Sequence, residues 1–118
     1  MHRLKKIRKK FMENNILQRL EKTLNERQFA NPAESYTAAL FQKGEDSILK
    51  KLGEEMIETI LASKEADRRH LIYETADLLF HLMVLLQFKK VTLAEVLDEL
   101  ARREGTSGIA EKNSRKGT

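Results

Sequence analysis

Five carboxylates and one imidazole carry the chemical content of this sequence. Glu54, Glu55 and Glu58 recur at spacings of three and four, and so do Glu74, Asp77 and His81. On a helix of about 3.6 residues per turn the first set shares an arc of roughly 100° and the second a stripe of roughly 60°. Oxygen donors without thiolate or abundant imidazole suit a hard cation, and Mg²⁺ binds through carboxylates together with substrate phosphates. The pattern therefore points to Mg²⁺ and phosphate chemistry. A di-iron bundle would pair Glu-x-x-His motifs on two helices, whereas Glu55-x-x-Glu58 and Glu74-x-x-Asp77 both end in an acid. With no cysteine in the chain, a thiolate zinc site is excluded.

These groups need elements to hold them. The second stripe interrupts Leu71–Phe88, which is apolar on its other sides and so reads as a buried helix. An isolated ionised carboxylate in such a place costs several kcal/mol, and this helix has no basic stripe to pair with it. Acids from the preceding helix, joined to these by a cation, resolve the conflict. Taken alone, Glu54, Glu55 and Glu58 have a second reading as a solvated face, because they lie nearly opposite the Leu52, Met56 and Ile60 stripe. His81 is expected to support the ligands from behind or to be a satisfied polar contact. Gly53, about 1 kcal/mol poorer than alanine inside a helix, suggests either a close backbone approach or a packing constraint.

Apolar residues at spacings of three and four predict a helix from Met12 to about Gln28, broken at Asn31-Pro32. Ser35 is expected to cap a short helix through Phe41 that Gly44 closes. Asp46 or Ser47 should open the helix carrying Glu54–Glu58, and Asp67 the central helix, which runs to about Lys90. Thr92-Leu93-Ala94-Glu95 has the form of a capping box for a last helix ended by Gly105. No stretch alternates long enough to be a strand. The expected fold is all-α, an antiparallel bundle of about four main helices completed by dimerisation. A helix apolar nearly all round needs more cover than so few helices supply, and two-fold pairing is the commonest remedy.

Three segments are expected: a basic extension over 1–11, disordered or foreign to the native protein; a helical domain over 12–105; and a polar basic tail over 106–118. Residues 1–11 hold six of the 22 Lys and Arg and none of the 18 acids, so the remainder carries a net charge of −2 despite the overall +4. Without interleaved aromatics or a base-reading motif, the extension is not read as a nucleic-acid site. It also lacks the apolar core of a secretory signal. The longest apolar run, Leu78–Leu86, contains His81 and is about half of what a bilayer span needs. A soluble, cytoplasmic protein without membrane partners is the expectation.

Beyond spacing, Glu55-x-x-Glu58 followed by Glu74-x-x-Asp77 resembles the metal-binding pattern of the MazG-like all-α nucleoside triphosphate pyrophosphatases. The stretches Ser35–Gly44, Lys50–Glu55, Tyr73–Leu82 and Ser107–Lys116 are similar to one branch of that superfamily, the phosphoribosyl-ATP pyrophosphohydrolases of histidine biosynthesis. The resemblance covers about Asn15 to Lys116 in one register. It implies hydrolysis of 1-(5-phospho-β-D-ribosyl)-ATP to the corresponding AMP and pyrophosphate, with the following step left to another protein. It also implies a homodimer or a higher homo-oligomer. In this reading Glu55, Glu58, Glu74 and Asp77 bind Mg²⁺, and Glu54 or Glu55 takes the proton of the attacking water. Lys43, Lys50, Lys51, Lys112, Arg115 and Lys116 would meet the triphosphate. Two rivals are a MazG-like enzyme acting on ordinary or damaged nucleoside triphosphates, and a non-catalytic helical dimerisation module.

Overall fold

The computed structural model describes residues 15–105 together with Gly108, Lys112, Asn113 and Arg115. Within residues 15–105 five helices follow one another: α1 (Ile16–Arg27), α2 (Tyr36–Lys43), α3 (Glu45–Lys64), α4 (Arg68–Phe88) and α5 (Leu93–Arg102). The described residues contain no strand, so the all-α expectation holds.

Local chemistry explains most of the boundaries. The side chains of Asn15, Ser35, Asp67 and Thr92 each accept a backbone N–H at a helix start, and Thr92 with Glu95 closes a full capping box. Several boundaries differ from the sequence reading, and the first helix opens at Ile16 rather than Met12. The third helix opens at Gly44, ahead of the expected Asp46 or Ser47, and has no side-chain cap. Gly44, with φ 93°, ends α2 and begins α3 at once, and Glu45 and Asp46 then lie in the first turn, where acids favour the helix dipole. Glu45 also pairs with Lys89 at the far end of α4.

α4 ends at Phe88 rather than Lys90. Val91 N–H donates to Leu86 O and Lys90 N–H to Gln87 O, the paired bonds of a Schellman turn. Lys90 consequently holds φ 59°, the single non-glycine residue with positive φ among those described.

Leu24, Leu40, Ile48, Met83, Val84 and Leu93 form the core, to which every helix contributes. Phe41 stacks on Phe88 beside it, with centroids 6.3 Å apart. Leu93 N–H donates to Glu21 Oε2 at 2.7 Å, which ties α5 to α1. The most extensive packing is between α3 and α4, joined by the short link Glu65–Asp67.

Two expectations fail on α3. Its inward face carries Ile48, Leu52, Glu55 and Ala62, whereas Met56, Ile57, Ile60 and Leu61 are each half or more exposed. The apolar stripe is therefore divided, with Ile48 and Leu52 facing the core and its part from Met56 onward facing outward. Around Gly53 a Cβ would meet nothing within 4 Å, so no close approach requires glycine there. On α4, Ile72 and Tyr73 are exposed while Glu74, His81, Met83 and Val84 are buried. Taken whole, α4 is long and apolar enough to cross a membrane by length and composition. Its inward polar stripe and its packing on α3 make it the central helix of the bundle.

Candidate active site

α3 and α4 run antiparallel and bring Glu55, Glu58 and Glu74 together. One carboxylate oxygen from each lies within 4.8 Å of the other two. At an effective dielectric near 20, charges that close repel by about 3 kcal/mol per pair. Glu55 is 3% and Glu74 8% exposed, and Glu58 lies at the open side of the group. Glu55 Oε2 and Glu74 Oε2 are buried with no hydrogen-bond partner. Buried carboxylate oxygens without donors are uncommon, and two of them on acids of one cluster fit a cation better than any donor present.

The backbone beneath the acids is clamped. The Thr59 hydroxyl lies 2.8 Å from Glu55 O on its own helix and 3.1 Å from Glu74 O on α4, its single proton shared between them. Lys51 Nζ stands 3.3 Å from Glu55 Oε1 and 4.0 Å from Glu54 Oε2. Its hydrogen bond to Glu55 raises the ammonium pKa above the usual value, with the charges of Glu55, Tyr36 and Glu54 adding to this against the opposing effect of burial. His70 bridges two acids: Nδ1 lies 2.7 Å from Glu65 Oε2 and Nε2 3.2 Å from Glu74 Oε1. The Glu65 contact is the main reason its pKa is raised, and Glu74 adds to it.

His81 is buried and both ring nitrogens are occupied. Nδ1 lies 2.8 Å from Asp77 O, and a carbonyl only accepts, so Nδ1 carries the proton. In the neutral ring Nε2 then accepts from the Tyr36 hydroxyl, 3.1 Å away. Phe80 and Tyr36 pack edge-on against the imidazole. His81 thus fastens α2 to α4 and keeps no nitrogen for an ion.

Of the residues expected at the site, Glu55, Glu58 and Glu74 converge, while Asp77, half-buried one turn further along α4, stands outside that group. Glu54 is half-exposed beside Lys51. Lys43, Lys50, Lys112 and Arg115 are exposed, and Lys116 lies outside the described residues. The sequence reading passed over His70, Thr59 and Tyr36. For His70 the signal was present, since it precedes Glu74 by four residues on the same helix; the adjoining Arg68 and Arg69 disguised it as part of a charged helix start.

Residues 17–104 match the family model described as phosphoribosyl-ATP pyrophosphohydrolase. The chain belongs to this family. Among curated relatives of the phosphoribosyl-ATP pyrophosphohydrolase family, the "Phosphoribosyl-ATP pyrophosphatase" of Novosphingobium aromaticivorans is 59% identical over 100 residues, covering 85% of this chain and 94% of the relative. The protein of the same name from Rhizorhabdus wittichii is 57% identical over 99 residues, covering 84% and 93%. That of Neisseria meningitidis serogroup C is 51% identical over 104 residues, covering 88% and 97%. The resemblance carried by the acidic pairs thus extends over nearly the full length of these relatives.

Proposed function

We propose that this chain hydrolyses 1-(5-phospho-β-D-ribosyl)-ATP to 1-(5-phospho-β-D-ribosyl)-AMP and pyrophosphate, with Mg²⁺, as the second step of histidine biosynthesis in the cytoplasm. The observation that carries the chemistry is the convergence of Glu55, Glu58 and Glu74 with two buried oxygens left unpartnered. The substrate class comes from the family and from the names of its relatives.

Glu55, Glu58 and Glu74 would hold the ion, with Asp77, on the same stripe of α4, as a fourth carboxylate for it. The bound ion supplies neutralisation of phosphate charge and acidity to the attacking water. Glu54 or Glu55 takes the proton as the water oxygen joins phosphorus, the bond between the α- and β-phosphates breaks, and pyrophosphate leaves. The half-exposed position of Glu54, beside the cluster but outside it, suits a group that exchanges protons with solvent. Lys43 and Lys50, with Lys112, Arg115 and Lys116 from the tail, supply cations to the triphosphate. The working form is a homodimer, supported by the exposed apolar faces of α3 and α4.

The test is pyrophosphate release with and without Mg²⁺ from phosphoribosyl-ATP and from the ordinary nucleoside triphosphates. The expected result is Mg²⁺-dependent release with phosphoribosyl-ATP strongly preferred. Equal turnover of ordinary triphosphates would shift the assignment to a broader MazG-like pyrophosphatase. No release from any of them would leave a helical dimerisation module.

A further inference from the structure

The two buried glutamates are built alike. In each, one oxygen is engaged and the other is not: Oε1 of Glu55 takes Lys51 Nζ at 3.3 Å, Oε1 of Glu74 takes His70 Nε2 at 3.2 Å, and both Oε2 atoms are buried without a partner. Each holder sits four residues before its acid on the same helix, the spacing at which helical side chains meet. His70 is itself anchored, because Nδ1 is tied to Glu65 Oε2 at 2.7 Å just past the end of α3.

The last torsion of a glutamate is broad and roughly two-fold, so an untethered carboxylate presents either oxygen in several directions. Fixing one oxygen fixes the other. We propose that His70 is a positioning residue of the metal site, holding Oε1 of Glu74 so that Oε2 is presented to Glu55 and Glu58, and that Lys51 does the same for Glu55 on the facing helix. This rests on the reading of the three carboxylates as a metal site. Neither residue is catalytic; each acts through the ligand it holds, as partners of metal-bound groups commonly do. Lys51, expected from the resemblance to touch substrate, takes this role instead.

The test compares His70→Gln with His70→Leu in the full chain. Both lack a charge and are similar in size, but only glutamine offers an N–H at the reach of Nε2, so the contrast isolates the hydrogen bond. Mg²⁺ binding is read by titration calorimetry and by the rise in melting temperature, with nucleotide absent. The leucine variant is expected to bind Mg²⁺ about tenfold more weakly than the glutamine variant. The Mg²⁺ concentration for half-maximal pyrophosphate release should rise by the same factor, while the two metal-free melting temperatures agree. Lys51→Gln against Lys51→Met repeats the contrast on α3, should either His70 variant fold poorly. Equal Mg²⁺ affinity within both pairs, in a chain whose wild type binds the ion, overturns the positioning role alone. A wild type that binds no Mg²⁺ overturns the metal reading and this inference with it.

Discussion

Glu74, like Glu55, brings a buried carboxyl group and an oxygen with nothing to accept from. Glu74→Gln keeps the shape and removes the charge. Turnover at saturating Mg²⁺ should fall by about a hundredfold or more. The metal-free melting temperature should hold or rise, since one repelling carboxylate is gone. Asp77→Asn should also lose most activity, and near-normal turnover there would remove Asp77 from the mechanism. Glu99 offers a pH prediction of a different kind. Arg102, bonded at 2.7 Å, and then Arg103 at 3.1 Å lower its carboxyl to about 2 against partial opposition from desolvation. A depressed acid contributes stability fully present above its unfolded pKa and lost as the pH falls through the folded one. The gap in melting temperature between wild type and Glu99→Gln should therefore be constant above about pH 5 and close between there and pH 2. A gap that widened on acidification would contradict this account. The acids themselves were legible in the sequence, because charges repeated at helical spacing inside an apolar helix demand an explanation. His70 was not, because a histidine among arginines at a helix start has many ordinary readings.

At the scale of elements, side-chain caps were readable and glycine's part was only half readable. Ser35, Asp67 and Thr92 declare themselves by type, whereas Gly44 serves two helices at once, which no one-helix rule anticipates. Lys90 breaks a local rule. It occupies the left-handed position of a Schellman turn, where glycine avoids a cost of roughly 1–2 kcal/mol carried by other residues. Lys90→Gly should stabilise the protein by about 1 kcal/mol, seen as a higher denaturant midpoint at unchanged slope. A lower midpoint would mean that the lysine side chain contributes more than its backbone costs. The orientation of α3 was the least legible feature. Ile48 and Leu52 point inward and Ile57 and Ile60 outward, yet all four are aliphatic, and periodicity does not tell a stripe that meets the chain's own core from one that meets something else.

For the whole molecule, that outward stripe sets the expectation for assembly. Met56, Ile57, Ile60 and Leu61 on α3 and Ile72, Tyr73, Leu79 and Leu82 on α4 are all well exposed, more apolar surface than scattered surface residues account for. Light scattering should give twice the 13.7 kDa chain mass. Ile57→Asp should reduce it to the monomer and lower activity, and a monomeric wild type at full activity would rule the arrangement out. The link Glu65–Asp67 has a consequence in time as well as in space. Glu55 and Glu74 are nineteen positions apart, on two helices separated by only three residues, and Thr59 fastens them without help from α1 or α5. Bringing them together closes a short loop, and contacts of such low order form early. The α3–α4 hairpin should thus be the folding nucleus, so that Thr59→Ala slows refolding in proportion to the stability it removes, whereas Leu24→Ala mainly hastens unfolding. The two carboxylates would then meet, and repel, before the rest of the chain has docked, and a divalent ion in the refolding buffer should speed the first step of folding itself.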